Sequence, residues 1–168
     1  MNTIILTSSS GAGKTSLAQA LQEELLPSVW LHFSLDTIIY SLPKSVLERC
    51  NKQNDWSGVD AGALYAGALS CLTSLIHSGN NIIFDMVLTN ENQASQLQLA
   101  LSGTDYHSFH LHSDWETIKD RTIKRADRTL EEAKQSYEKS LHIENSSIID
   151  SSEKCPAQLA KDVIETIN

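Results

Sequence analysis

The sequence predicts an α/β fold: a parallel sheet with helices on both faces, a three-layer sandwich, in one domain over residues 1–168. Three observations carry this. Short apolar, β-branched runs alternate with helical patterns along the chain, the signature of a sheet buried on both sides. The first run leads through a small-residue loop straight into a helix. A length of 168 residues with 40% hydrophobic content supplies one core and no more.

Thr3 to Leu6 read as a buried strand ended by the polar cluster Thr7 to Gly13. From Lys14, Leu17, Ala18, Leu21, Leu25 and Leu26 recur at helical spacing until Pro27 stops them. Val29 to Phe33 form a second strand, with Asp36 just past its end and a short apolar stretch, Thr37 to Tyr40, before Pro43. Glu48 to Gly58 are polar and predict irregular structure. Leu64, Ala68, Cys71, Leu72, Leu75 and Ile76 predict a helix ending at Gly79, and Asn81 to Phe84 a strand with Asp85 at its end. A helix through Gln93 to Leu101, a strand through Tyr106 to His112 and a helix from Asp114 follow. The charged region Lys119 to Lys139 is helical in propensity, Ile148-Ile149 mark a last short strand, and Ala157 to Ile167 a terminal helix.

Composition narrows the function. Lys and Arg number 13 against 21 Asp and Glu, a formal charge of −8, which argues against a nucleic-acid partner that needs a basic face. Cys50, Cys71 and Cys155 are widely spaced and form no C-x-x-C pair, so free thiols in a reducing compartment are expected. Met1 to Leu6 lack the basic region and cleavage site of a signal peptide, and no apolar run reaches the roughly 20 residues that span a bilayer. A cytoplasmic protein without a membrane partner is expected; the sequence sets no oligomeric state.

The loop Ser8-Ser9-Ser10-Gly11-Ala12-Gly13-Lys14-Thr15 matches G-x-x-x-x-G-K-[ST] except that Ser8 stands at the first glycine. This pattern marks a P-loop NTPase. Backbone N–H groups of Ser10, Gly11, Ala12 and Gly13 can curl around polyphosphate oxygens, and the following helix N-terminus, with Ser16 in its first turn, adds its dipole. Lys14 supplies a cation and Thr15 a hydroxyl for Mg²⁺. Asp85, closing an apolar strand, suits a second Mg²⁺ contact; a helix cap or a solvated strand-end carboxylate is the plainer alternative.

Asp36 lies where a carboxylate past the second strand reaches the sheet edge at which ligands collect, and it also suits an N-cap for Thr37 to Tyr40. As a base it would take the proton of a substrate hydroxyl. Arg121, Lys124, Arg125 and Arg128 cluster where two helices meet, so residues 121–140 form a candidate lid over polyphosphate, with Arg121 toward the nucleotide and Arg125 and Arg128 toward the transferring phosphoryl group. The alternative is a solvated face paired with Asp120, Asp127, Glu131 and Glu132. His107, His110 and His112 have no convincing further metal ligands nearby and read as satisfied or solvent-facing histidines.

With these residues in place, the sequence resembles the chloramphenicol phosphotransferase-like family of small P-loop kinases over nearly its full length. The segments that carry the resemblance are Ile4 to Thr15, Leu26-Pro27-Ser28-Val29-Trp30-Leu31-His32-Phe33-Ser34-Leu35-Asp36, Asn81 to Val87, and Arg121 to Arg128 with Tyr137 and His142 following. The Leu-Pro-x-x-Trp-Leu-x-Phe-x-x-Asp string is the most specific of them. Two positions depart from the pattern: Ser8 replaces the first loop glycine, and Met86 stands where the chloramphenicol-phosphorylating member has a second consecutive Asp. The resemblance implies a nucleotide-kinase-like fold and transfer of the γ-phosphate of ATP, with Mg²⁺, to a hydroxyl of a small molecule. Chloramphenicol or a related antibiotic is among the implied acceptors. It further implies Asp36 as general base, Lys14 and Thr15 at the phosphate and Mg²⁺ positions, and Arg125 and Arg128 in the lid. A nucleoside, nucleotide or shikimate-type metabolic kinase is the alternative enzyme, and a nucleotide-binding switch without transfer the alternative class. The segment between Tyr40 and Leu64 matches no pattern and is expected to include acceptor-facing residues.

Overall fold

The computed structural model describes residues 3–125 and 129–167. Five parallel strands lie in the order β2-β3-β1-β4-β5. They are β1 (Thr3–Ser8), β2 (Trp30–Ser34), β3 (Asn81–Met86), β4 (Tyr106–His112) and β5 (Ser147–Asp150). The helices are α1 (Lys14–Glu24), α2 (Leu35–Ile39), α3 (Lys44–Gln53), α4 (Ala61–His77), α5 (Glu91–Ala100), α6 (Trp115–Arg125), α7 (Leu130–Lys139) and α8 (Pro156–Ile167). The predicted α/β sandwich is the observed fold.

Alternation along the central strand divides the core. Ile4 and Leu6 of β1 pack with Leu17 and Leu21 of α1 and Leu159 and Val163 of α8 on one face. Ile5 packs on the other with Leu69 and Leu72 of α4 and Leu97 of α5. Because both faces are covered, all six residues of β1 are buried, and the strand reads as an unbroken apolar-to-small run. Strands β3 and β4 flank β1 on opposite sides, so the chain reverses its winding direction at β1, and the loop after β1 opens at the crevice where such sheets take ligands.

Two local readings change. Glu48 to Gly58, expected to be irregular, begin inside α3, a ten-residue helix that buries Cys50 alone. One buried position in three turns leaves almost no periodic apolar signal, while Pro43 sets its start and Asn54, with φ of 50°, its left-handed end. The cap of α2 is Ser34 and not Asp36: Ser34 Oγ accepts the Thr37 N–H at 3.2 Å, with Thr37 reciprocating in a capping box. Asp36 therefore falls in the first helical turn of α2. Among the described residues no helix is long and apolar enough to cross a membrane.

Candidate active site

The phosphate loop is built by glycine where a left-handed backbone is required. Gly11 and Gly13 have φ of 87° and 103°, and a Cβ on Gly11 would meet Ile118 Cγ2 at 3.3 Å. Ser8, by contrast, ends β1 and is not among the positive-φ residues, so the missing first glycine costs the loop no geometry. Its hydroxyl instead accepts from Lys14 Nζ at 2.9 Å and donates to the Ser9 carbonyl at 2.6 Å, while Nζ also donates to that carbonyl at 3.1 Å. Lys14 is buried, folded back over its own loop. Gly13 caps α1 without a side chain and no acid lies in the first turn, which leaves the helix N-terminus suited to an anion.

Helix α7 leans on this loop. Ser136 Oγ accepts the Ser10 N–H at 2.8 Å, taking one of the backbone donors that a phosphate oxygen would use. The Trp115 and Tyr137 rings, 5.7 Å apart, join α6 to α7. Arg121 of α6 reaches the loop from behind: its Nη1 donates to the Ala12 carbonyl at 3.1 Å and its Nη2 to the Ser151 carbonyl at 2.7 Å. It thus ties α6 to the loop and to the turn after β5, and is not among the residues lining the adjoining cavity. Arg125 is exposed at the last position of α6, and Arg128 lies outside the described residues.

A cavity of about 460 Å³ opens from the loop toward α2 and α3. One end is lined by Ser10, Gly11, Gly13, Lys14, Thr15 and Ser16. The other is lined by Asp36, Ile39 and Tyr40 of α2 and by Cys50, Asn51, Asn54 and Trp56. Asp85 and Met86 at the end of β3, Val87 just after it and Glu132 of α7 also line the cavity. Among the described lining residues, the one cationic side chain is Lys14. Arg49 of α3 is turned to its own loop, where it pairs with the Asp55 carboxylate at 3.3 Å and donates to the Ser57 carbonyl.

Asp85 is neither a helix cap nor a solvated strand end. It lies within β3, 4% exposed, and accepts a hydrogen bond from His32 Nε2 of the neighbouring strand. On the opposite side of the loop, His110 Nδ1 lies 3.0 Å from Thr7 Oγ1, with its ring edge-on to His142 at 5.2 Å. Burial, and then His142, Lys14 and His112, push its pKa down to about 4. Among the described residues no group of three or more His, Cys, Asp or Glu side chains gathers to hold a metal. Two contacts escaped the sequence reading, His32 to Asp85 and Ser136 to Ser10; the available signals were the strand alternation Trp30, His32, Ser34 and the helical spacing of Glu132 and Ser136.

A glycine-bent phosphate loop after the central strand of a 2-3-1-4-5 parallel sheet, with a helical pair resting on it, defines the P-loop kinase class of fold. Solved structures agree. A sugar kinase from Janibacter sp. HTCC2649 superposes with a TM-score of 0.76 at 15% identity, covering 99% of this chain and 94% of that one. The tunicamycin resistance protein of Deinococcus radiodurans gives 0.72 at 16% identity over 99% and 95% of the two chains. The APS kinase of Mycobacterium tuberculosis, in complex with AMPPNP and APS, gives 0.72 at 16% identity over 99% and 96%. A comparison with curated proteins finds no match. The chain belongs to the chloramphenicol phosphotransferase-like protein family, whose profile matches residues 1–168. Family and fold together support a small-molecule kinase that binds nucleotide at the P-loop.

Proposed function

We propose that the protein transfers the γ-phosphate of ATP to a hydroxyl of a small molecule that is uncharged around its reacting end. The observation that carries this is the two-ended cavity: the phosphate loop lines one end, Asp36 in the first turn of α2 lines the other, and the described residues of that second wall include no cation. An anionic acceptor buried there would find, among the described residues of that wall, no guanidinium or ammonium partner of the kind that a desolvated acid requires.

In this reading the loop N–H groups and the α1 N-terminus hold the β- and γ-phosphates, and Lys14 swings from Ser8 onto them. Asp36 aligns the acceptor hydroxyl in line with the γ-phosphorus and takes its proton as the O–P bond forms and the bond to ADP breaks. Helices α6 and α7 act as the lid, with Arg121 as its anchor on the loop, Arg125 as a lid arginine, and Arg128, outside the described residues, a second by its place in the sequence. The Thr15 hydroxyl and the Asp85 carboxylate, both on the cavity wall, form an all-oxygen donor pair that fits Mg²⁺. Bound there, Mg²⁺ would neutralise charge on the phosphate oxygens. Dependence on ATP fits a cytoplasmic enzyme.

The test is incubation with ATP, Mg²⁺ and hydroxyl-bearing antibiotics and metabolites, chloramphenicol among them, read by mass spectrometry as the gain of one phosphoryl group. Product from an uncharged alcohol is expected. Nucleotide binding without product from any acceptor overturns transfer in favour of a nucleotide-binding switch.

A further inference from the structure

Edge strand β2 brings one titratable side chain into the sheet, and it is spent on Asp85, a carboxylate that lines the same cavity as the phosphate loop. Trp30, buried, lies two residues before His32 and faces the α1 side, where it packs with Ile83; strand alternation sets His32 on the same side and Asp85 beside it, two residues on from Ile83. The register pairs His32 with Ile83 and Ser34 with Asp85, so His32 reaches Asp85 along the diagonal. The side chains are 18% and 6% exposed, which shields the contact from competing water. Asp85 and the exposed Thr15 at the head of α1 line the same cavity, and a hydrogen bond that holds one carboxylate oxygen selects among the side chain's rotamers.

We infer that His32 is a positioning residue for Asp85: its Nε2–H fixes Oδ2, which orients the carboxylate for a divalent cation carried on the nucleotide. The inference rests on the proposed kinase reading of the site. A partner behind a metal-binding carboxylate fixes its direction and costs roughly 10–100-fold in metal affinity when removed. A merely structural pair would stabilise the sheet and leave cation affinity unchanged.

The experiment measures Mn²⁺ binding to the complex with a non-hydrolysable ATP analogue, by paramagnetic resonance or calorimetry, beside analogue binding without metal and the thermal midpoint. His32→Ala should weaken Mn²⁺ binding about 10-fold or more and leave metal-free analogue affinity unchanged. His32→Gln, whose amide N–H can reach the same oxygen, should recover most of the loss. Wild-type Mn²⁺ affinity in a folded His32→Ala protein overturns the inference and leaves the kinase reading standing; so does a loss that Gln fails to restore while the thermal midpoint is restored. Absence of any analogue binding to the wild-type protein overturns both.

Discussion

The two ends of the cavity are made in different ways. The phosphate end is one continuous loop whose donors are backbone N–H groups and whose shape depends on two glycines at positive φ. The end proposed for the acceptor is a wall of side chains from α2, α3 and the Trp56 loop, with no shared motif, and Arg49 of α3, outside that lining, is committed to Asp55 and Ser57. Backbone donors recognise any polyphosphate, whereas side chains choose among acceptors. The chemistry of such a protein is therefore set at one end and its substrate at the other.

Substitutions at each end should separate these functions. Asp36→Asn keeps a hydrogen-bond acceptor but removes the base, so transfer should fall on the order of 10²–10⁴-fold while calorimetric ATP affinity stays unchanged. Transfer at the wild-type rate would reduce Asp36 to a surface carboxylate. Lys14→Ala strikes the other end: single-turnover transfer should drop about 10²–10³-fold, with ATP affinity falling as well. Loss of transfer with unaltered ATP binding would blur the division between the two ends.

A smaller effect is expected from Ser136→Ala. Its hydroxyl holds the Ser10 N–H that a phosphate would take, and a net hydrogen bond contributes about 0.5–1.5 kcal/mol, so removal should tighten ATP binding a few-fold. The acceptor KM should not move; weaker ATP binding instead would show that Ser136 seats the lid and does not compete with nucleotide.

The smallest effect concerns stability alone. His110 titrates near 6.5 when unfolded and at about 4 in the fold, so the unfolded chain takes up the proton first. The stability that neutral His110 contributes is fully present above pH 6.5 and is lost as pH falls toward 4. Thermal melting at pH 7 and pH 5 should show a larger loss for the wild type than for His110→Asn, which retains a group at the Nδ1 position facing Thr7. Equal losses would remove His110 from the acid sensitivity of the fold.

What was legible in the sequence follows the same division. Ser8 to Thr15 were readable because the loop is local, eight consecutive residues between a strand and a helix. The sheet was readable because burial on both faces leaves unbroken apolar runs such as Ile82-Ile83-Phe84. Helix α3 was not, since Cys50 is its one buried residue. The Ser136 and His32 contacts were hidden for another reason: their partners lie 126 and 53 residues away, and only the register of the sheet and the packing of α7 bring them together. Arg121 was readable as part of a basic cluster, but its attachment to the Ala12 and Ser151 carbonyls was not.

The central claim is that the phosphate end acts on an acceptor that the other end requires to be uncharged. The direct measurement is kcat/KM with ATP and Mg²⁺ across matched pairs of hydroxyl compounds, each neutral alcohol set against its analogue carrying a carboxylate beside the reacting hydroxyl. The neutral member of each pair is expected to be favoured by about tenfold or more, since like charge against Asp36 and Asp85, with no cation among the described residues of that wall, costs at least ~1.4 kcal/mol. Equal or preferred use of the carboxylated members would contradict it.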